Sequence, residues 1–124
     1  YEISECLVGS EMCIETGVYF NDGAVISCLG KIDIGENTLF GPGVKIFDNN
    51  HRFSREEGVS RECTAGCITV GRSCWIASDV VLLKGTDIGD NCVIGAGCVI
   101  RGKVPAGSLV TRSGEQTTRP IETR

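Results

Sequence analysis

The sequence predicts an all-β fold, a solenoid of short parallel strands wound as a single-stranded β-helix. Three observations carry this prediction. Val70, Ile76, Leu82, Ile88, Ile94 and Ile100 recur every six residues without a slip. Four positions after each come small residues: Cys74, Val80, Thr86, Cys92, Cys98 and Val104. Glycines at 35, 41, 71, 89 and 95 oppose long helices. An amphipathic helix would repeat apolar residues every three or four positions, which this spacing excludes. Three hexamers make one triangular coil of 18 residues, and successive coils stack about 4.8 Å apart.

Taken in chain order, Val8, Ile14, Phe20 and Ile26 hold the six-residue step, followed by a two-residue slip before Ile34. Ile34, Phe40 and Ile46 continue it, with Thr38, Val44 and Asn50 in the companion places. The pattern then stops. A polar stretch with Arg52, Arg55, Glu56, Glu57, Arg61 and Glu62 follows. It is expected to be a loop extruded from one corner at about 47–68, because both flanks are in phase with their own coils. The step resumes at Val70 and runs to Val104, so residues 1–105 are expected to form the β-helix and 106–124 a C-terminal extension. Each inward aliphatic contributes about 1.5–3 kcal/mol on burial.

Composition narrows the function classes. At 124 residues the chain is one domain. Its net charge is −4, with acids and bases interspersed. No basic stripe suggests nucleic acid, and no apolar run is long enough for a membrane span. The chain opens on Tyr1 without a signal-peptide pattern. The expectation is a soluble cytoplasmic protein, either a processed form or an engineered fragment. Eight cysteines would suit a disulfide framework in a secreted chain. Cys74, Cys92 and Cys98, however, occupy the small-residue phase of the repeat, and no pair has C-x-x-C spacing. They are expected to be buried thiols in a reducing compartment, with no metal.

His51 is the chain's lone histidine and stands at the root of the interruption. A side chain there has rigid coil on one side and a loop on the other. Imidazole titrates nearer neutrality than other side chains and suits proton abstraction. A long excursion inside a compact repeat is more often functional than incidental.

From Asn21 to about Pro105 the chain resembles the galactoside/maltose/xenobiotic acetyltransferase group of hexapeptide-repeat proteins. The motifs are "IDIGENTLFGPGVKIFDNNH" and "ITVGRSCWIASDVVLLKGTDIGDNCVIGAGCVI". The resemblance implies a left-handed helix, a handedness that the period alone does not give. It also implies an acetyl-CoA-dependent O-acetyltransferase acting on a carbohydrate hydroxyl by direct transfer in a ternary complex. His51 falls on the family's general base. Ser78 and Ala96 match acetyl-CoA contacts, with Ala77 in place of the usual glycine and Gly95 keeping the surface flat. Trp75 either walls the cofactor slot or packs on a neighbouring subunit. Arg101 and Lys103, displaced by one from the expected lysine, are candidates for the phosphates of CoA, and Arg119 is a further one. Asn21 matches an acceptor-binding asparagine, with Asp22 beside it. Asn49 and Asn50 are placed with the acceptor, and one of Asp48, Asn49 and Asn50 is expected to orient the imidazole. Homotrimers with sites between subunits are implied, and outward Val81, Val93 and Val99 suit such packing.

Two other readings are retained beside this one. An N-acetyltransferase on an amino sugar or sugar nucleotide would use the same base, and a β-helical scaffold would use none. The zinc carbonic anhydrase built on a β-helix is excluded, because it needs three imidazoles and this chain has one.

Overall fold

Three residues after an inward aliphatic, the backbone turns a corner through the left-handed region. Asn37, Ser73 and Asn91 form one such column, with φ of 59°, 54° and 57°. Asparagine tolerates that conformation better than most residues, which is why it recurs there. The computed structural model describes residues 11–113 and 115–121, among which there is no helix. Val8, expected in the core, lies outside the described residues.

The first coil holds β1 (Glu11–Ile14), β2 (Tyr19–Phe20) and β3 (Val25–Ser27). The second holds β4 (Lys31–Ile34), β5 (Leu39–Phe40) and β6 (Lys45–Phe47). A hairpin of β7 (Asn49–Ser54) and β8 (Gly58–Ala65) precedes the third coil, β9 (Cys67–Val70), β10 (Trp75–Ile76) and β11 (Val81–Leu82). The fourth holds β12 (Asp87–Ile88), β13 (Val93–Ile94) and β14 (Val99–Ile100). The chain then adds β15 (Lys103–Val104) and β16 (Ser108–Ser113), and β17 (Glu115–Pro120) folds back on β16.

These strands stack in parallel on three faces of a β-helix of the left-handed hexapeptide type. Face one is β1-β4-β9-β12-β15, face two β2-β5-β10-β13-β16, and face three β3-β6-β11-β14. The inward column on each face is continuous, and the Phe20 and Phe40 rings stack at 4.5 Å, one coil apart. All the aliphatic residues expected inward from Ile34 to Ile100 are buried. Asn50 departs from its expected companion place and is exposed; the buried residue there is Asp48. The two-residue slip also has a cause: β4 and β9 are longer strands that each bury a second aliphatic, Ile32 and Ile68. The stack continues past residue 105, because β16 pairs in parallel with β13 and places Val110 in the core over Ile94.

All variation in coil length falls at one corner, between faces three and one. Equivalent core residues there are separated by eight positions (Ile26–Ile34), twenty-four (Ile46–Val70), six (Leu82–Ile88) and four (Ile100–Val104). The other two corners keep the six-residue step throughout. A corner free to vary is where an insertion leaves the stacked core undisturbed.

All seven described cysteines are reduced. Burial pushes the Cys74 and Cys98 thiols above the ordinary cysteine range, so neither is a ready thiolate. A thiol reagent is expected to label exposed Cys13 and Cys67 in the native protein. Cys74 and Cys98 should stay unlabelled until denaturant is added, which peptide mapping checks; native labelling of either would contradict the packing.

Candidate functional site

The extruded stretch is a β-hairpin. Asn50 pairs with Thr64, His51 with Cys63 and Phe53 with Val59, with a bulge between His51 and Phe53. Its root is tied into the coil by Asp48, which is fully buried. The Asp48 carboxylate accepts the backbone N–H groups of Leu29 and Gly30, each at 2.8 Å. Its carbonyl accepts the Gly66 N–H at 2.8 Å, closing the hairpin neck. Asn49 donates its amide to the Ser27 carbonyl and hydroxyl, both at 3.2 Å, and to Asp48 at 3.1 Å.

The imidazole is therefore oriented by none of Asp48, Asn49 and Asn50. His51 Nδ1 lies 2.9 Å from the Ser60 carbonyl oxygen on the opposite strand. A carbonyl only accepts, so this contact assigns the proton of the neutral ring to Nδ1, the tautomer whose Nε2 carries the lone pair. The Cys63 sulfur is 3.6 Å from the same nitrogen. His51 shares a surface cleft with Asn50, Arg52, Phe53, Thr64 and Lys84. Asn49 does not line it, because its amide is committed to Ser27 and Asp48.

A second depression runs along the corner between faces two and three, with a volume of about 580 Å³. Trp75, Ala77, Ser78, Gly95 and Ala96 line it together with Asn21. Its outer wall is an outward column one residue before each core residue of face two, Tyr19, Leu39, Trp75 and Val93, in register coil over coil. Small residues are required here: a Cβ on Gly41 would come within 2.6 Å of the Ser78 backbone nitrogen. The Ala77 and Gly95 N–H groups are used in coil stacking, donating to Ile94 and Val110. The Ser78 and Ala96 N–H groups have no acceptor among the described residues. They are backbone donors without a partner on residues that line the groove.

The remaining candidates lie elsewhere. Asp22 is exposed at a turn, where its N–H bonds the Asn21 side chain and its carbonyl accepts the Gly43 N–H. Arg101 lines a separate groove with Gly97, Thr111 and Arg112. Lys103 projects from face one beside Asp87 and lines neither depression, and Arg119 stands exposed on β17. Among the described residues, no group of His, Cys, Asp and Glu is placed to hold a metal ion. Nor is any helix long and apolar enough to cross a membrane. Tyr19, Leu39, Thr64 and Lys84 were not singled out by motif. Register with Trp75 marks the first two, and the corner shared with the hairpin marks Lys84.

Residues 67–102 match the bacterial transferase hexapeptide (six repeats) family. The galactoside O-acetyltransferase of Escherichia coli K12 is 33% identical over 113 residues, covering 79% of this chain and 55% of that protein. The chain belongs to the hexapeptide-repeat family. A second relative from that organism, the putative lipopolysaccharide biosynthesis O-acetyl transferase WbbJ, is 30% identical over 102 residues, 75% of this chain and 52% of its own length. The chain thus spans about half the length of these curated relatives. Among solved structures, the hexapeptide-repeat acetyltransferase VCA0836 of Vibrio cholerae, in complex with acetyl coenzyme A, superposes with a TM-score of 0.79. It is 22% identical and covers 98% of this chain and 71% of that one, a likeness of fold.

Proposed function

We propose that the chain is an acetyl-CoA-dependent O-acetyltransferase acting on a carbohydrate hydroxyl. The observation that carries this reading is the His51 imidazole, held at Nδ1 by the Ser60 carbonyl so that Nε2 is left as a base. Nε2 takes the proton of the acceptor hydroxyl as its oxygen attacks the thioester carbonyl. The new ester forms, the C–S bond breaks, and the proton leaves with the CoA sulfur. No acyl-enzyme is required.

The groove beside Trp75 fits the pantetheine arm of acetyl-CoA. It is narrow, walled by apolar residues and floored by the open N–H groups of Ser78 and Ala96. Those donors suit an amide oxygen of the arm or the charge developing on the thioester oxygen. Asn21, on the same corner, offers both a donor and an acceptor to a sugar. Arg101, beside Arg112 in its separate groove, is the candidate partner for the phosphates of CoA.

His51 and this groove lie on different corners of the prism, so one chain does not bring them together. We therefore infer a homotrimer in which the hairpin of one copy meets the groove of the next. The outward apolar column of face two, with Trp75 exposed, supports such packing, as do Val81 and Val99 on face three beside Lys45, whereas face one is charged.

The test is CoA release with acetyl-CoA and a panel of sugars and amino sugars, followed by mixing. His51→Ala and Ala96→Trp proteins, each inactive alone, are co-refolded. Random threefold assembly restores about a quarter of the wild-type activity if sites are shared between copies. No restoration would place each site within one chain, and acetylation confined to amino sugars would favour N-transfer.

A further inference from the structure

Lys84 occupies the variable corner one coil after the hairpin, directly over its neck. Its aliphatic stem crosses Gly66 so closely that a Cβ there would sit 2.6 Å from Lys84 Cγ. Its ammonium donates to the Thr64 hydroxyl at 3.0 Å. The head group is thus held half-buried in the cleft that contains His51, rather than extended into solvent.

A lysine ammonium has three donors, and Thr64 takes one. Among the described residues no carboxylate lies within ion-pair distance of Lys84. Asp48, in the coil beneath, directs its carboxylate away to Leu29 and Gly30. Glu62 lies 4.0 Å from the Arg52 Nε, a solvent-exposed pair of little strength. The cleft wall itself holds Arg52 and Lys84 and no acidic side chain. In a chain of net charge −4, two cations beside the one imidazole form a local field of opposite sign.

A lysine serving only to staple the hairpin would need one donor and no unneutralised charge. We propose that Lys84, with Arg52 on the outer side, selects an acceptor bearing an anionic group close to the hydroxyl that is acetylated. The inference rests on the acetyltransferase reading and names its substrate class: an acidic carbohydrate, with a carboxylate or a phosphate. Lys84 binds the anion and His51 takes the hydroxyl proton.

Three matched sugars test this: galactose, galacturonate and galactose 6-phosphate. Equilibrium binding to the full chain is measured by NMR titration at low salt, with acetyl-CoA binding and CoA release followed in the same preparations. The wild type is expected to bind one or both anions about tenfold or more tightly than galactose. A preference for only one of them identifies carboxylate or phosphate as the recognised group. Lys84→Met should bring the anion-to-neutral ratio near unity, and Lys84→Arg should keep it above that of Lys84→Met. The ratio within each variant cancels any general loss, and thermal melting confirms folding. Equal wild-type affinity for all three sugars, or a preference that survives Lys84→Met, overturns the inference. Failure to bind acetyl-CoA would instead overturn the acetyltransferase reading, so the two failures are distinguishable.

Discussion

Replacing His51 with alanine is expected to lower kcat by roughly 10²- to 10⁴-fold while leaving acetyl-CoA affinity within about twofold. The separation follows from geometry. His51 sits on the hairpin, and the groove proposed for acetyl-CoA lies on another corner of the prism. The substitution removes a proton acceptor and leaves the groove floor and its open Ser78 and Ala96 donors in place. No other described histidine exists to substitute for it. Steady-state kinetics and calorimetric titration with acetyl-CoA give the two numbers independently. Turnover within threefold of wild type would sink the assignment of His51 as the base.

The fold was legible because one physical requirement repeats. Every coil must bury an aliphatic at the same angular position, and three flat faces force a six-residue step. Phe20, Ile26, Ile34 and the residues after them carry that requirement openly, and all are buried. Departures from the step were harder to interpret. The slip before Ile34 reflects an alternating four-residue strand that buries Ile32 as well as Ile34, a period-two pattern within a period-six one. The interruption was visible as polarity, but its pairing was not. Phe53 faces Val59 on the hairpin with both exposed, so no buried column announces the two strands. Likewise β16 begins with Ser108 and continues into a threonine- and arginine-rich segment, in which Val110 is the fully buried residue among those described.

The candidate site was legible where it consists of side chains in a motif and obscure where it consists of backbone. His51 stood out by residue type and place in the repeat, and the family resemblance pointed to Trp75, Ser78 and Ala96. The partner of the imidazole could not, because a carbonyl has no letter in the sequence and Ser60 reaches His51 only through antiparallel pairing. A polar run before a histidine invites the view that one of its members orients the ring. Here those residues face the coil: Asp48 and Asn49 satisfy buried corner groups, and Asn50 alone shares the cleft. Lys103 shows the converse. The family resemblance implied a CoA contact near the last repeat, and strand alternation on face one turns Lys103 away from both depressions of this chain.

Asp48→Ala is expected to destabilise the protein by about 3–5 kcal/mol, lowering Tm by on the order of 10–20 °C. Asp48 is fully buried, and its two oxygens each satisfy a backbone N–H of the preceding coil at 2.8 Å. Alanine removes the acceptor of both donors at once, on the half-buried residues Leu29 and Gly30. The Asn49 amide loses a further acceptor. The asparagine variant separates charge from shape. Its single oxygen can serve one donor, but its amide group then opposes the other, so Asp48→Asn should fall between wild type and alanine. The backbone carbonyl that accepts the Gly66 N–H survives in alanine, but the hairpin root loses the carboxylate's hold on Leu29 and Gly30, so the alanine variant should also lose turnover at temperatures where it is still folded. Circular dichroism melts and assays well below Tm measure the two effects apart. A Tm within about 3 °C of wild type would mean that the carboxylate does not hold the corner. The hairpin, and His51 with it, would then owe its placement to strand pairing alone.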